Sequence, residues 1–399
     1  MNSTAAPRPV AHVTAPGAFG GLERVVAGLT SGLVAQGEQV VVVAVLEPGV
    51  PVPAFLDDLR VQGVVVEVLH VGARSYLAER RAVRNVLARH GVRVVHTHGY
   101  RADLLHGGVA RRDGRGTVST VHGFTGSGRK GRVYEWLQAR ALRRFDAVIA
   151  VSMPLVETLT QAGVRRDRVQ LIPNSLAGSA TVPLERAEAR RALGLAPDGA
   201  LIGWVGRMSH EKDPELAIEA FALVRAPGAR LCFVGDGPMM APCRTRAEAL
   251  GLTERVHFAG AVSDASRLLG AFDVLALSSR TEGTPMVLLE AGIAGLPIVA
   301  TRVGGVPDLL QEDGGTLVPP RDAQALAAAL DDALAEPERA HRAAVALRER
   351  ITSPAASEDW IAAHQRVYDA VARTRATPTL AAPKNASSGS RRDAPATSE

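Results

Sequence analysis

Two carboxylates, Glu282 and Glu290, stand eight positions apart around the stretch Gly283-Thr284-Pro285-Met286. The apolar run Val274 to Leu277 just before them reads as a buried parallel strand. The small and polar residues after it read as a loop, and the apolar run beyond as a helix. Thr284 suits the helix N-cap and Pro285 the first helical position. A helix start at the carboxyl end of a strand presents free backbone N–H groups and partial positive charge, which suit a phosphate. A carboxylate there would repel that phosphate unless it served something else, such as hydroxyl groups. Phosphate with hydroxyls on either side is the chemistry of a sugar nucleotide. The bland alternative is an ordinary strand–loop–helix unit that carries a Glu and a Pro.

Other residues add to this chemistry. Arg207 and Lys212 leave the end of an expected strand, Leu201 to Val205, together. Two cations there suit a diphosphate. Gly20 and Gly21 open a helix, where they allow a backbone to approach a ligand, but they lack the dinucleotide-binding spacing. His122 follows the strand Gly116 to Val121 and precedes a Gly- and Arg-rich loop, Gly123 to Arg132, so it is expected in the cleft of an open sheet. His96 and His98 share one face of a strand. With no third ligand nearby in sequence, no metal site is expected, and the chain has no Asp-x-Asp pair.

A chain of 399 residues is too long for one ordinary core and suggests two domains. At 46% hydrophobic and 22% charged residues it has the composition of a soluble globular protein; aromatics are 4%, so its cores must be built from Val, Leu and Ala. No apolar run reaches the roughly 20 residues of a membrane span. Met1 to Pro9 lacks an apolar signal core, so a cytoplasmic location is expected. The two cysteines, Cys232 and Cys243, rule out a disulfide framework. Between Arg101 and Arg144 ten basic residues face three acidic ones, either a solvated surface or a patch for anionic headgroups or a phosphorylated acceptor. Aromatic residues do not interleave these charges, which speaks against nucleic acid.

Strands and helices alternate in two successive runs, separated at Pro173-Asn174-Ser175. The expected class is α/β, two doubly wound, mostly parallel sheets with one site between them. The stretch from Thr374 to Glu399, rich in Ala, Pro, Ser and Arg, is expected to be disordered.

Five motifs in this order resemble those of the retaining glycosyltransferase family 4. They are Gly20-Gly21-Leu22-Glu23-Arg24, Thr120-Val121-His122-Gly123, Gly206-Arg207 through Glu211-Lys212, Val234-Gly235-Asp236-Gly237-Pro238, and Glu282-Gly283 through Glu290-Ala291. The resemblance spans roughly residues 8 to 372 and implies the GT-B fold, two Rossmann-like domains with an interdomain cleft. Residues 1–173 would form an acceptor-binding domain and 174–351 a nucleotide-sugar-binding domain. Residues 352–373 would form a helix packing back towards the first domain, and 374–399 the disordered tail.

By the same resemblance Arg207 and Lys212 would hold the donor's diphosphate, and Glu282 the hydroxyls of its sugar. Gly283, Thr284, Pro285 and Met286 would form the turn over the pyrophosphate, and Glu290 would take the ribose. Gly20 and Gly21 would close on the phosphates, with His122 beside the reacting sugar. Met286 replaces a polar residue often found there, which leaves only a backbone contact at that position. The implied reaction is metal-independent, retaining transfer of a sugar from a UDP or GDP donor to a lipid-linked, polyol or small-molecule acceptor. The nucleotide sugar is a co-substrate, and no further cofactor or metal is expected. A peripheral contact with the anionic inner face of the cell membrane fits the basic stretch. A sugar-nucleotide epimerase of the same fold and a non-catalytic two-domain sugar-binding protein are the alternatives.

Overall fold

The computed structural model describes residues 8–17, 20–123, 128–176 and 182–376. Its first sheet holds β1 (Val10–Thr14), β2 (Val40–Leu46), β3 (Val65–His70), β4 (Val94–His98), β5 (Gly116–Val121), β6 (Ala147–Ala150) and β7 (Val169–Leu171). All pairings are parallel, in the order β3-β2-β1-β4-β5-β6-β7. The second holds β8 (Leu201–Val205), β9 (Arg230–Val234), β10 (Val256–Gly260), β11 (Val274–Leu277), β12 (Ile298–Thr301) and β13 (Thr316–Val318). It too is parallel, in the order β10-β9-β8-β11-β12-β13.

Helices cover both faces of each sheet, so the inner strands are apolar throughout rather than alternating. β2, Val-Val-Val-Val-Ala-Val-Leu, is buried at every position. In both sheets the strand order reverses beside the first strand, between β1 and β4 and between β8 and β11. A crevice opens at such a reversal, outside the carboxyl ends of the strands. Gly20-Gly21 follow β1, His122 follows β5, Arg207 and Lys212 follow β8, and Glu282 follows β11. The topology therefore gathers most of the singled-out residues at the facing ends of the two sheets.

The last helix, Pro354–Ala376, returns to the first sheet. Its Trp360, Ile361, Tyr368 and Val371 are buried in one core with Leu29, Val42, Val94 and Val118. The tail was expected to begin at Thr374, but residues 374–376 continue this helix; 377–399 lie outside the described residues. The loop expected over Gly123–Arg132 is also shorter, because the helix Gly128–Leu142 already starts within it. Residues 124–127 lie outside the described residues.

Candidate active site between the two sheets

Lys212 Nζ lies 2.7 Å and 2.8 Å from the two carboxylate oxygens of Glu282, and Ser279 Oγ donates to one of them at 2.6 Å. The carboxylate is nearly buried, with the Glu282 side chain 6% exposed, so cation and hydroxyl replace the water it lost. Both residues line a cavity of about 240 Å³ with Gly283, Thr284, Pro285 and Met286. Glu211 and Thr281 add to this side, and Gly21, Leu22, His122, Gly123 and Asn174 line the other.

The helix after Glu282 runs Met286–Ala294, one residue later than expected, with Pro285 rather than Thr284 at its N-cap position. The Thr284 hydroxyl is engaged elsewhere: it donates to the carbonyl of Val151 in the first domain at 2.6 Å. Asn174 Nδ2 donates to the Thr284 carbonyl at 3.1 Å. A β-carbon on Gly283 would stand 2.1 Å from the His122 carbonyl oxygen, so only glycine permits this approach. The turn is thus held against its neighbours at three points, by the Val151 carbonyl, the Asn174 amide and the His122 backbone, and Gly283, Thr284, Pro285 and Met286 all line the cavity.

His122 is half-buried, yet its Nε2 is sealed from solvent without a hydrogen-bond partner among the described residues. Burial, and then the field of His364, lowers its pKa to about 4, so the ring is neutral at physiological pH. A neutral imidazole here can donate to or accept from a sugar hydroxyl but carries no charge to the cleft.

Glu290 sits one turn inside the Met286 helix and pairs with Arg24, whose Nε lies 2.8 Å from its Oε1. Arg24 is on the helix Gly21–Ala35 of the first domain, so this contact spans the cleft. Its Nη2 also donates to Asp264 Oδ1 at 2.9 Å and Ser266 Oγ at 3.0 Å. Burial raises the Glu290 pKa to about 7; Arg24 works against that rise and Asp264 adds to it.

Arg207 is not brought into this cluster. It lies exposed at the end of β8, has no ion pair among the described residues, and does not line the cavity. Gly20 is the N-cap residue of the helix Gly21–Ala35, next to residues 18 and 19, which lie outside the described residues.

Several supporting residues carry no motif of their own. Asp213 takes a left-handed backbone, φ 49°, before Pro214, and Arg280 clamps its carboxylate at 2.7 Å and 2.9 Å. Ser278 Oγ donates to the backbone carbonyls of Lys212 and Asp213 and accepts from Trp204 Nε1. These contacts lock the loop carrying Lys212 to the loop carrying Glu282. Polar residues next to both motifs were a visible signal, but which atoms meet is set by the pairing of β8 with β11.

A third imidazole joins His96 and His98, contrary to expectation. His12 on β1 stands beside His96 in register, because β1 pairs with β4. All three are buried, with ring nitrogens within 4.8 Å of one another. His12 Nδ1 and His98 Nε2 lie 3.0 Å apart, while His96 bonds the hydroxyls of Tyr368 and Thr120, each at 2.8 Å. The stack continues to His122, 5.8 Å from His98 between ring centres, and to His364 on the last helix.

The basic stretch is partly engaged within the fold. Arg101 pairs with Glu79, Arg111 with Asp146, and Arg143 donates to the Ala162 carbonyl. Tyr100, Tyr134 and Trp136 are exposed on the same domain.

The family model described as Glycosyltransferase Family 4 matches residues 19–176, and that described as Glycosyl transferases group 1 matches residues 185–350. The chain belongs to the family 4 glycosyltransferases. Its two matches meet at the junction between the sheets, and the first domain of this family 4 glycosyltransferase carries His122 while the second carries Lys212, Glu282 and Glu290. A 2-deoxystreptamine N-acetyl-D-glucosaminyltransferase of Streptomyces fradiae is 34% identical over 217 residues, 52% of this chain and 51% of that protein. A D-inositol 3-phosphate glycosyltransferase of Mycobacterium marinum is 37% identical over 161 residues, 38% of this chain and 34% of the relative. The chain therefore spans about half of the first of these relatives and about a third of the second. Anabaena Alr3699/HepE in complex with UDP-glucose superimposes with a TM-score of 0.78 at 21% identity, covering 92% of this chain and 99% of that one. That likeness shows the GT-B fold.

Proposed function

We propose that this glycosyltransferase moves a sugar, with retention and without a metal, from a UDP or GDP donor to a hydroxylated small-molecule, polyol or lipid-linked acceptor. One observation carries the reading: Lys212 and Glu282, a phosphate-seeking cation and a hydroxyl-seeking carboxylate, meet beside the turn Gly283–Met286 in a cavity that His122 and Gly21 close from the opposite domain. A diphosphate entering that cavity takes Lys212 away from Glu282, and the freed carboxylate accepts hydrogen bonds from the donor sugar. The exposed Arg207 joins Lys212 at the phosphates, and Glu290 holds the ribose.

As the bond from the anomeric carbon to the phosphate oxygen breaks, negative charge builds on the nucleoside diphosphate and positive charge on the sugar. Arg207, Lys212 and the helix N-terminus stabilise the first charge. The acceptor oxygen attacks from the same face, forms the new bond to carbon, and passes its proton to the leaving phosphate oxygen. Neutral His122 orients a sugar hydroxyl. The names of the two curated relatives support a small polyhydroxylated acceptor, and the HepE complex supports a UDP donor.

The sequence expectation of a cytoplasmic, membrane-associated enzyme stays part of this proposal. No described helix is long and apolar enough to cross a membrane. The basic stretch, with exposed Tyr100, Tyr134 and Trp136, supports peripheral contact with anionic lipid, which vesicle binding that weakens steeply with salt would test.

A panel of nucleotide sugars measured by thermal stabilisation identifies the donor, since a ligand that binds only the native state raises its melting point. The anomeric configuration of the product, read by NMR with chelator present, then tests retention and metal independence. Failure of UDP and GDP alike to stabilise the chain, an inverted product, or turnover of the donor with no acceptor would each overturn the reading.

A further inference from the structure

We propose that Arg24 is the positioning residue that holds Glu290 for the ribose of the nucleoside diphosphate, so that the first domain helps to build the donor site of the second. This rests on the assignment of Glu290 to the ribose. Arg24 engages one carboxylate oxygen of Glu290, Oε1, at 2.8 Å. The contact is made at Oε1 and the Glu290 side chain is 12% exposed, so the carboxylate keeps an edge within reach of a diol.

The arginine is itself held at its far end. Its Nη2 donates to Asp264 Oδ1 and Ser266 Oγ, and Ser266 Oγ donates to the same Asp264 oxygen at 2.8 Å. Asp264 adopts a left-handed backbone, φ 57°, which an Asp keeps only where its surroundings hold it. Three groups of the second domain thus converge on one guanidinium from the first. A planar fork with several donors fixed in angle suits this; a single ammonium would not reach all three.

Two consequences follow from the geometry. Opening the cleft separates Arg24 from Glu290, and closing it restores the pair, so nucleotide affinity and domain closure share this contact. Arg24 also favours the ionised carboxylate, which accepts both hydroxyls of a diol, over the neutral acid. Arg24 and Asp264 are the charged groups whose fields act on Glu290, one from the Gly21–Ala35 helix and one from the loop after β10.

The test is calorimetric titration of UDP and GDP into the full chain and into Arg24→Lys, Arg24→Gln and Glu290→Gln, from pH 6 to 8.5. In the unaltered chain affinity rises with pH through about 7, as Glu290 ionises. Arg24→Gln binds about tenfold more weakly at pH 7, the loss of roughly one charge-assisted contact, and its rise moves to higher pH. Arg24→Lys keeps the charge, so its rise stays near that of the unaltered chain and its loss is smaller. Unchanged binding by Glu290→Gln would remove the ribose assignment on which the proposal stands. Weak binding by Glu290→Gln together with an Arg24→Gln profile that does not move along pH would leave that assignment intact and overturn the role of Arg24.

Discussion

Lys212 Nζ is bound to both carboxylate oxygens of Glu282, at 2.7 Å and 2.8 Å. On the proposed reading, the ammonium stands where sugar hydroxyls would bind Glu282, and the carboxylate where phosphate would bind Lys212. Because Glu282 is almost wholly buried, removing Lys212 leaves a buried carboxylate with only Ser279 as partner among the described residues. Lys212→Ala should therefore destabilise the fold by about 1–3 kcal/mol, besides abolishing transfer. Glu282→Gln in the same chain should return part of that stability. A double-mutant cycle from urea denaturation measures the coupling. The coupling should shrink when saturating UDP or GDP draws Lys212 to the phosphates, and an unaltered value would contradict that movement.

The histidine stack makes a second prediction, about acid. Burial lowers the pKa of His12 to about 3 and those of His122 and His364 to about 4, and pushes His96 and His98 down as well. Above their ordinary value of 6.5, folded and unfolded chains both hold these rings neutral, and their stability contribution is constant. Between pH 6.5 and about 4 the unfolded chain binds protons that the folded chain excludes. Stability then falls with pH by as much as about 1.4 kcal/mol per pH unit for each histidine, and levels off once the folded rings protonate. Asp103, Glu23 and Glu290, whose carboxyls are raised by burial, act in the opposite sense, but five imidazoles outnumber them. Urea midpoints measured from pH 7.5 to 4.5 should fall, and His364→Leu should make the fall shallower. Midpoints flat across that range would show that the rings protonate inside the fold.

What the sequence made legible was what lies close in the chain. Leu201–Val205 and Val274–Leu277 form strands with the expected limits, because continuous β-branched and apolar runs bounded by Gly, Ser and charge leave little choice. Residues that act through neighbours in space were harder to see. Arg24 stood in a quoted motif, but its partners Asp264 and Glu290 lie more than two hundred positions away and meet it only when the domains face each other. His12 lacked a sequence neighbour to mark it, since it joins His96 through pairing of β1 with β4. β13, three residues after Gly314-Gly315, is too short to show any periodicity. Thr284 looked like a helix cap by residue type, yet a carbonyl of the other domain takes its hydroxyl.

The last prediction separates backbone strain from displacement of a site residue. Gly304, after β12, has φ 54°, and a β-carbon there would stand 1.8 Å from the Glu282 carbonyl oxygen. Gly295, at the end of the Met286 helix, has a similar φ of 66° but open space around it. Gly295→Ala should thus cost only the strain of a left-handed alanine, about 1 kcal/mol, with transfer nearly unchanged. Gly304→Ala carries the same strain and must also push the backbone of Glu282 away. A shift of about 1 Å in a group that positions the donor costs on the order of a hundredfold in rate. The contrast is read by comparing kcat/KM for the two variants at matched fraction folded. Equal rates would mean that the Glu282 loop yields without moving its carboxylate, and that Gly304 serves the turn alone.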